Sequence, residues 1–439
     1  MLKRLGPSAV TAREADPDLL FPQKLEFNAP AHGVWNIVHV GMLLPEAHQI
    51  YVCAINCMRG VALTAAEMNL TRRFSCVVLK EEDLIEGTVE DVTLEGIRDV
   101  LRKLRDHGGL PPAVIVFPVC THHFLGADMN RVYRELEQEF PSVDFVRAFM
   151  DPIMQKHGLP PDQRLRRAIY DPLPPCDPEE KTVAVLGCDF SLDDDCELRA
   201  LLSSGGYALR DIQHCRSYAE YKTLSAAGTI LSVFPGGKYG AEQTARRLGR
   251  PHLYLPMSFG YEEIRKSCRT LCSALGLPLP DYDREEAACE AALAGTKDTL
   301  GDAPVVIDAT VHPRPLGLAR LLLEHGFRVT EVYLDAVSGE ETEDLSWLRE
   351  NAPELTLSST MLPELRVADR VRPEKTLAVG QKAAWFTSSP HFVNLVQGGG
   401  LWGYAGIRTM ARMMREAWEQ EQDTRDLIPR KGLGCESCI

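Results

Sequence analysis

Two cysteine-containing stretches each follow a short apolar run and precede a helical pattern. They read Ile50-Tyr-Val-Cys53-Ala-Ile-Asn-Cys57-Met-Arg-Gly60 and Phe117-Pro-Val-Cys120-Thr-His-His-Phe-Leu-Gly126. The first predicts a strand that ends at Cys53 and a loop that presents Cys57 just before a helix, and the second predicts a strand with Cys120 at its tip. A helix N-terminus favours thiolate over thiol, and thiolate is the form that binds metal. Cys57 and Cys120 are therefore candidate metal ligands.

Packing in a hydrophobic core is the alternative for these cysteines, because buried cysteine is common. The tips of parallel strands in one sheet meet at one edge, so Cys57 and Cys120 could approach each other although they are distant in sequence. On this pattern alone, both the metal-binding and the packing hypothesis stay open.

Other polar residues could line a binding site. His122 and His123 directly follow Cys120, where they could move protons or serve as polar residues at a helix start. Phe234-Pro-Gly-Gly-Lys238 follows a predicted strand and either cradles an anion with its backbone amides and Lys238 or forms a tight turn. The sequence has no phosphate loop of the G-x-x-x-x-G-K-[ST] type, so we do not expect this chain to hydrolyse ATP.

Short β-branched runs alternate with helix-length amphipathic segments, which predicts parallel sheets covered by helices. Composition shifts at 170–178 and 295–303 indicate domain boundaries. We predict an α/β protein of three doubly wound, Rossmann-like domains around a central cavity. Residues 1–177 carry the candidate ligands Cys57 and Cys120, 178–299 form the middle domain, and 300–439 end in a helix and a flexible tail. The predicted strands include 75–79, 114–117, 182–186, 229–233, 252–255, 305–308, 328–333 and 376–379.

The composition of the chain is that of an ordinary globular protein, with 439 residues of which 45% are apolar and 25% charged. The 62 acidic and 48 basic residues give a net charge of −14, which argues against nucleic-acid and anionic-membrane partners. No apolar run spans a bilayer and the start lacks a secretory signal, so we expect a cytoplasmic protein. In that reducing compartment the 13 cysteines are core thiols or metal ligands rather than disulfides. Two of them, in the tail motif Cys435-Glu-Ser-Cys438, form half a zinc site at best.

The order of the motifs resembles component 1 of the nitrogenase superfamily, which includes molybdenum–iron protein subunits, dark-operative protochlorophyllide reductase and nickel-tetrapyrrole reductase. In that family a Gly-Cys loop before a helix is followed by Glu-Asp-x-x-x-Gly and then by Cys-x-x-x-x-hydrophobic-Gly-Asp-Asp. The corresponding segments here surround Cys57, then read Glu82-Asp83-Leu-Ile-Glu-Gly87, then Cys120-Thr-His-His-Phe-Leu-Gly-Ala-Asp128. The resemblance extends along nearly the whole chain, with its specificity concentrated in residues 28–130.

The resemblance implies an iron–sulfur cluster, 4Fe-4S or larger, at the interface between two component 1 subunits. Cys57 and Cys120 match the family's second and third cluster cysteines. The first should lie at or near His32, where this sequence has no cysteine. The missing ligand could be His32, Cys53, Cys76 or a residue of the partner subunit. Cys53 is favoured because it shares a loop with Cys57, whereas Cys76 is expected to face inward from its strand.

The resemblance does not extend to the active-site cofactor of true nitrogenase. That cofactor is held by one cysteine of the middle domain and one histidine of the last domain. The corresponding middle segment, 229–238, contains no cysteine, and His391 does not fall clearly in register. We therefore do not expect dinitrogen reduction. The implied partners are a homologous component 1 subunit, an ATP-hydrolysing iron protein that alone uses ATP, and a small-molecule or tetrapyrrole-like substrate in the cavity.

Three hypotheses follow from the sequence. The main one is an electron-transferring subunit of a nitrogenase-like oxidoreductase. The second is a metallocofactor assembly scaffold or carrier of the same superfamily, which product formation with iron protein and ATP would exclude. The third is a small-molecule-binding protein that has lost the cluster. The missing first cysteine supports this hypothesis, and a purified protein without colour would favour it.

Overall fold

The computed structural model describes residues 9–16, 37–151, 159–361 and 370–423. His32, Cys435 and Cys438 lie outside these residues. Helices and strands alternate along the described chain, and the strands form three sheets. This confirms the predicted α/β class. The chain divides into two compact units, one within Trp35–Asp189 and Gly206–Tyr254, the other within Met1–Val34, Phe190–Gly205 and Leu255–Ile439.

The first sheet carries the candidate cysteines. After β1 (Ala9–Thr11), which belongs to the last sheet, its strands are β2 (His48–Cys53), β3 (Phe74–Val78), β4 (Ala113–Pro118) and β5 (Asp144–Arg147). All four are parallel, in the order β3-β2-β4-β5. Every residue of β2 and β4 is buried, as expected for central strands with helices on both faces. The chain reverses its winding direction between β2 and β4, and ligands of doubly wound sheets bind at such a point.

Two apolar clusters cover the two faces of this sheet. On one face Tyr51 stacks on Phe117 with ring centroids 4.4 Å apart, and on the other face Ile50 and Val116 pack in a separate cluster. Alternation of side chains along each strand sends successive residues to opposite faces. The helices of this region are α1 (Ile37–Met42), α2 (Ile55–Glu67), α3 (Glu81–Ile85), α4 (Val89–His107), α5 (Thr121–Leu125), α6 (Met129–Glu139) and α7 (Pro161–Ala168).

The middle sheet belongs to the same compact unit and repeats the winding of the first. Its strands are β6 (Glu179–Val185), β7 (Ala208–Asp211), β8 (Ala227–Ser232) and β9 (His252–Tyr254), and the next helices are α8 (Glu197–Ser204), α9 (Tyr218–Lys222) and α10 (Pro235–Leu248). The strands are parallel in the order β7-β6-β8-β9. Residues of both sheets contribute to one hydrophobic cluster, which includes Phe117 and Ile230.

A buried ion pair joins α7 to the chain that leaves β6. Arg166 donates from Nη2 to Asp189 Oδ2 at 2.6 Å and from Nε to Asp189 Oδ1 at 3.1 Å, and its Nη1 donates to Asp162 at 2.7 Å. The side chains of Arg166 and Asp189 are only 1% and 2% exposed. A bidentate arginine–carboxylate pair satisfies both charges in a dry environment, so this contact fixes α7 against the middle sheet.

The last sheet has six strands, of which β1 alone runs antiparallel. The remaining strands are β10 (Pro304–Asp308), β11 (Arg328–Leu334), β12 (Thr356–Ser359), β13 (Leu377–Val379) and β14 (Phe392–Val393), in the order β1-β12-β11-β10-β13-β14. The helices of this unit after α8 are α11 (Tyr261–Leu275), α12 (Asp283–Leu300), α13 (Pro315–Glu324), α14 (Thr342–Asn351), α15 (Gln381–Thr387) and α16 (Gly403–Glu419).

The segment 295–303, which its composition marks as a boundary, begins as the last turns of α12 rather than as a linker. Thr296 is fully buried there and donates to the carbonyl oxygen of Ala411 at 3.0 Å, which ties α12 to α16. The domain limits at 177 and 299 stay predictions. Among the helices of the described residues, none has the length and apolar character needed to cross a membrane.

Candidate metal centre

The register of the first sheet brings the exits of β2 and β4 side by side. Val52 pairs with Pro118, and the amide of Val119 donates to Val52 O at 3.2 Å. Cys53 is the last residue of β2, and Cys120 lies two residues beyond the end of β4. Both cysteines therefore occupy the carboxyl edge of the sheet at its winding reversal.

Cys57 lies in the first turn of α2 and not in a loop before a helix. The chain turns into the helix at Ala54, whose carbonyl oxygen accepts a hydrogen bond from the Cys57 amide at 3.0 Å. No glycine or proline separates Cys53 from Cys57, so the helix begins immediately after the strand. The expectation of a loop was wrong, but the result still presents Cys57, which is exposed, at the carboxyl edge.

Cys120 is the residue that begins the short helix α5, and it is half-buried. Its Sγ lies 3.9 Å from the carbonyl oxygen of Met150, which follows β5. An isolated bridge between Val119 and Met150 holds these two chain segments together. The thiol is thus fixed at the edge without being enclosed in the core.

Cys53 is buried, and Cys76 is half-buried, as Cys120 is. Burial raises the pKa of Cys53 to about 11, with a smaller contribution from Cys57, and burial raises the pKa of Cys76 to about 12, with a contribution from Cys53. Both pack against the apolar cluster of Tyr51. These surroundings favour neutral core thiols, because desolvation disfavours the charged form. A ligand role for Cys53, and the lesser one for Cys76, stays a prediction.

The residues present fit part of an iron–sulfur site. Cys57 and Cys120 share one sheet edge, and neither is enclosed, so both can reach a group bound at the surface. No three His, Cys, Asp or Glu side chains among the described residues lie close enough to hold a single metal ion. A cluster differs from a single-ion site, because each of its irons takes its own protein ligand.

Exposed apolar side chains surround this edge. Ile55 and Leu63 on α2 are 64% and 47% exposed, and Phe124 on α5 is 74% exposed. Of the thirteen residues of α2, only Thr64 and Ala65 are buried. We call Ile55, Leu63 and Phe124 the apolar rim. Large exposed apolar side chains on both helices that leave this edge point to an interaction site.

The structure separates the two histidines that follow Cys120. His122 is enclosed, with Nδ1 3.1 Å from Val119 O and Nε2 3.5 Å from Thr93 Oγ1, and burial lowers its pKa. His123 has a side chain that is 36% exposed, and its Nε2 is hydrogen-bonded to Asp151. His122 therefore has both ring nitrogens engaged inside the protein, whereas His123 faces the edge that carries Cys120.

Asp151 was missed by the sequence analysis. It follows β5, and its only signal is a carboxylate just after a strand, at the tip next to Cys120. Its side chain is fully buried, and Arg164 lies 3.7 Å from it. Its partner His123 lies 28 residues away in the sequence, so no local sequence pattern reveals the pair.

Lys238 lies in the first turn of α10, in place of the expected loop or tight turn. Gly237 lets α10 begin against the tip of β6, because a Cβ on Gly237 would stand 2.1 Å from the carbonyl oxygen of Gly187. The Lys238 ammonium lies 4.3 Å from the centre of the Tyr254 ring, a cation–π contact. The glycines thus serve close backbone packing, and a role for Lys238 in binding stays a prediction.

A cavity of about 780 Å³ in the other unit was also missed. Its wall includes Arg314, which donates to the carboxylates of Glu263 and Asp344 and to Glu340 O. These partners lie 51, 30 and 26 residues away, so no sequence pattern reveals them. These contacts engage Nη1 and Nη2 of the guanidinium, whereas its buried Nε has no hydrogen-bond partner among the described residues.

The described residues thus form a doubly wound α/β architecture with two cysteines at the carboxyl edge of its first sheet. The family model described as nitrogenase component 1 type oxidoreductase matches residues 40–419. The chain belongs to that family, which confirms the resemblance noted from the motifs, and members of the family are generally oxidoreductases that bind iron–sulfur clusters and typically form oligomers with an iron protein partner.

Solved structures agree with this assignment at the level of the fold. A structure of nitrogenase Cp1 at pH 6.5 has a TM-score of 0.65 and 11% identity, covering 91% of this chain and 94% of that one. A structure of nitrogenase Cp1 at pH 5 has a TM-score of 0.61 and 14% identity, covering 94% and 93%. No curated protein sequence matches the chain.

Proposed function

We propose that this chain is a subunit of a nitrogenase-like reductase that binds an iron–sulfur cluster at a subunit interface. In this proposal a separate ATP-hydrolysing iron protein supplies electrons, and the substrate is a reducible small molecule other than dinitrogen. The absence of a cysteine from 229–238 supports the exclusion of dinitrogen. Membership of the component 1 family supports the redox role.

One observation carries the proposal. Cys57, exposed, and Cys120, half-buried, occupy the carboxyl edge of one parallel sheet at its winding reversal. Core cysteines would be enclosed, as Cys53 is, with no exposed surface. An exposed thiol on an apolar rim is otherwise a liability, so its presence points to a bound group or a partner that covers it.

The chain's own residues hold and shield the bound group. Cys57 and Cys120 bind through deprotonated sulfur, and β2 and β4 fix their positions because both strands are fully buried. When bound, the cluster would accept and release single electrons. Tyr51 and Phe117 fill the space beneath the edge and exclude water from that side of the site.

A homologous component 1 subunit is the partner that the apolar rim best fits. Two cysteines from each of two chains would give four thiolates, which would complete a 4Fe-4S cluster, whereas a larger cluster would take further protein ligands from each chain. The rim places apolar side chains around the shared group, which keeps solvent from it. In this arrangement the rim and the cysteines belong to one interface.

Substitution of the rim tests this interface. Ile55→Asp and Phe124→Asp should weaken subunit association at least about 10-fold, because each would bury a carboxylate in an apolar contact. Sedimentation of anaerobic protein over a range of concentrations measures the change. Val371→Asp is the matched control, since Val371 is 75% exposed but lies in the other compact unit. Unchanged association of both rim variants would reject the interface.

The proposed function is tested with protein purified without oxygen. We expect brown protein with iron and sulfide, and a reduced-state electron paramagnetic resonance signal that forms with iron protein and MgATP but not with either alone. A sample without MgATP is the control, because a signal in that sample would mean that electrons reach the cluster by another route.

Two outcomes would reject the proposal. A colourless chain without iron and sulfide would leave a ligand-binding protein. A chain that carries iron but takes no electrons from iron protein and passes its metal to another protein would be an assembly scaffold or carrier.

A further inference from the structure

The pair formed by His123 and Asp151 has a geometry that the proposed function does not yet use. Asp151 is fully buried at the exit of β5, and its Oδ2 is hydrogen-bonded to His123 Nε2. The carbonyl oxygen of Cys120 accepts a hydrogen bond from the His123 amide at 3.0 Å, so the histidine lies one turn from the cysteine. We propose that His123, held by Asp151, supplies a third protein ligand to the cluster through Nδ1. This inference rests on the proposed function.

The hydrogen bond to Asp151 determines which nitrogen of His123 can bind metal. A carboxylate only accepts hydrogen bonds, so Nε2 is the donor in this pair, and in the neutral imidazole Nδ1 keeps its lone pair. No described residue hydrogen-bonds Nδ1, and the side chain is 36% exposed. Histidines that ligate metals almost always donate their other N–H to a carboxylate, carbonyl or water. His123 and Asp151 have this arrangement, whereas the neighbouring His122 has both nitrogens engaged.

The surroundings of the pair fix the ring and leave one oxygen of the Asp151 carboxylate without a hydrogen bond from the described residues. The His123 ring stacks on Phe149 with centroids 5.9 Å apart, and the Arg164 guanidinium lies 5.6 Å from the same Phe149 ring. Arg164 approaches Asp151 Oδ2 only to 3.7 Å, and Asp151 Oδ1 accepts no hydrogen bond from the described residues. A fully buried carboxylate is costly unless its charge is compensated. Arg164 supplies part of that compensation, and a metal on His123 would add positive charge through the ring.

The ligand set also favours His123. The family's first cluster cysteine is absent from this sequence, and Cys53 is fully buried in the apolar cluster. His123 lies at the surface, on the same edge as Cys120. Imidazole in place of thiolate is a known ligand exchange at iron–sulfur centres and raises the reduction potential.

The test uses the holoprotein, purified anaerobically, reduced and labelled with ¹⁵N-histidine. Pulsed electron paramagnetic resonance of the parent should show a strong ¹⁵N coupling. His123→Ala should lose the coupling and more than about half of the iron. His123→Cys should restore the iron, lack the coupling and have a lower reduction potential, because thiolate replaces imidazole. Asp151→Asn should bind iron about 10-fold more weakly. His107→Ala, an exposed histidine on α4, is the control and should match the parent.

The outcomes separate this inference from the proposed function. A parent that holds iron and sulfide but shows no ¹⁵N coupling would overturn the inference and leave the function intact. The same holds if His123→Ala keeps both its iron and its coupling while Cys57→Ala loses its iron. A parent without iron would overturn both. His123→Cys also keeps the test valid if the alanine variant folds poorly, since a purely structural histidine would give no coupling in the parent.

Discussion

Alanine at Cys57 or Cys120 is expected to abolish the iron and sulfide content of the anaerobically purified chain. Each substitution removes one thiolate from an edge where, in our proposal, each chain contributes few ligands. Because Cys57 is exposed and Cys120 only half-buried, neither change should create a large cavity, and the fold should persist. Iron and sulfide assays with visible absorbance measure the loss, and circular dichroism establishes that the variants are folded.

The remaining thiols of the described chain provide matched controls. Cys176 is also exposed, its Sγ lies 3.2 Å from Ser225 Oγ, and Cys176→Ala should retain the cluster.

Cys53→Ala tests the favoured substitute for the missing first cysteine, and lost iron would identify Cys53 as a ligand. If Cys57→Ala and Cys120→Ala both keep their full iron content, the cysteine assignment is wrong.

Arg166→Met should lower the free energy of unfolding by about 3–5 kcal/mol, the usual cost of leaving one member of a buried ion pair without its partner. Arg166 and Asp189 are both almost completely buried, so water cannot replace the lost hydrogen bonds. The loss should become smaller at acidic pH. Burial already raises the pKa of Asp189, and Arg166 opposes that shift. Without Arg166 the carboxyl group takes up a proton more readily, so the variant is least stable above that pKa and recovers as pH falls.

Urea unfolding at neutral and acidic pH measures this effect. Arg246→Met is the matched control, since Arg246 is 70% exposed and pairs with Glu242 one helical turn away, so its loss should change stability little. The double variant Arg166→Met with Asp189→Leu should recover most of the stability, because it removes both buried charges. A loss in Arg166→Met that equals the control, or that does not depend on pH, would contradict the assignment.

Most central strands could be predicted from the sequence, with β12 the exception, whereas of the edge strands only β3 and β9 were predicted among the described residues. β4 is an uninterrupted apolar run and β10 is apolar as far as Asp308, because both faces of a parallel sheet are covered, and both match the predicted strands within one residue at either end. Edge strands such as β5 and β7 are four residues long and include charged residues. β1 was missed for a different reason, since its pairing with β12 depends on residues about 350 positions away.

The parts of the candidate site that have a local sequence signal could be predicted. Cysteines at strand exits are visible in sequence, and the structure places Cys57 and Cys120 at the expected edge. The start of α2 was misplaced because an alanine cap gives no polar signal for a helix N-terminus. The partnership of His123 with Asp151 depends on the register of β4 and β5, which no periodicity in the sequence encodes.

The exposure of Cys57 also sets conditions under which the isolated chain can be studied. An accessible thiol with no metal on it is open to attack by oxygen and peroxide, first to sulfenic acid and then to a disulfide with another thiol. Two copies that meet through the apolar rim would bring such thiols together, so air would lock them as a covalent dimer. Reductant would release that species, which otherwise imitates the native assembly in a sizing experiment. Cluster loading in the cell therefore competes with oxidative damage at the same sulfur atom.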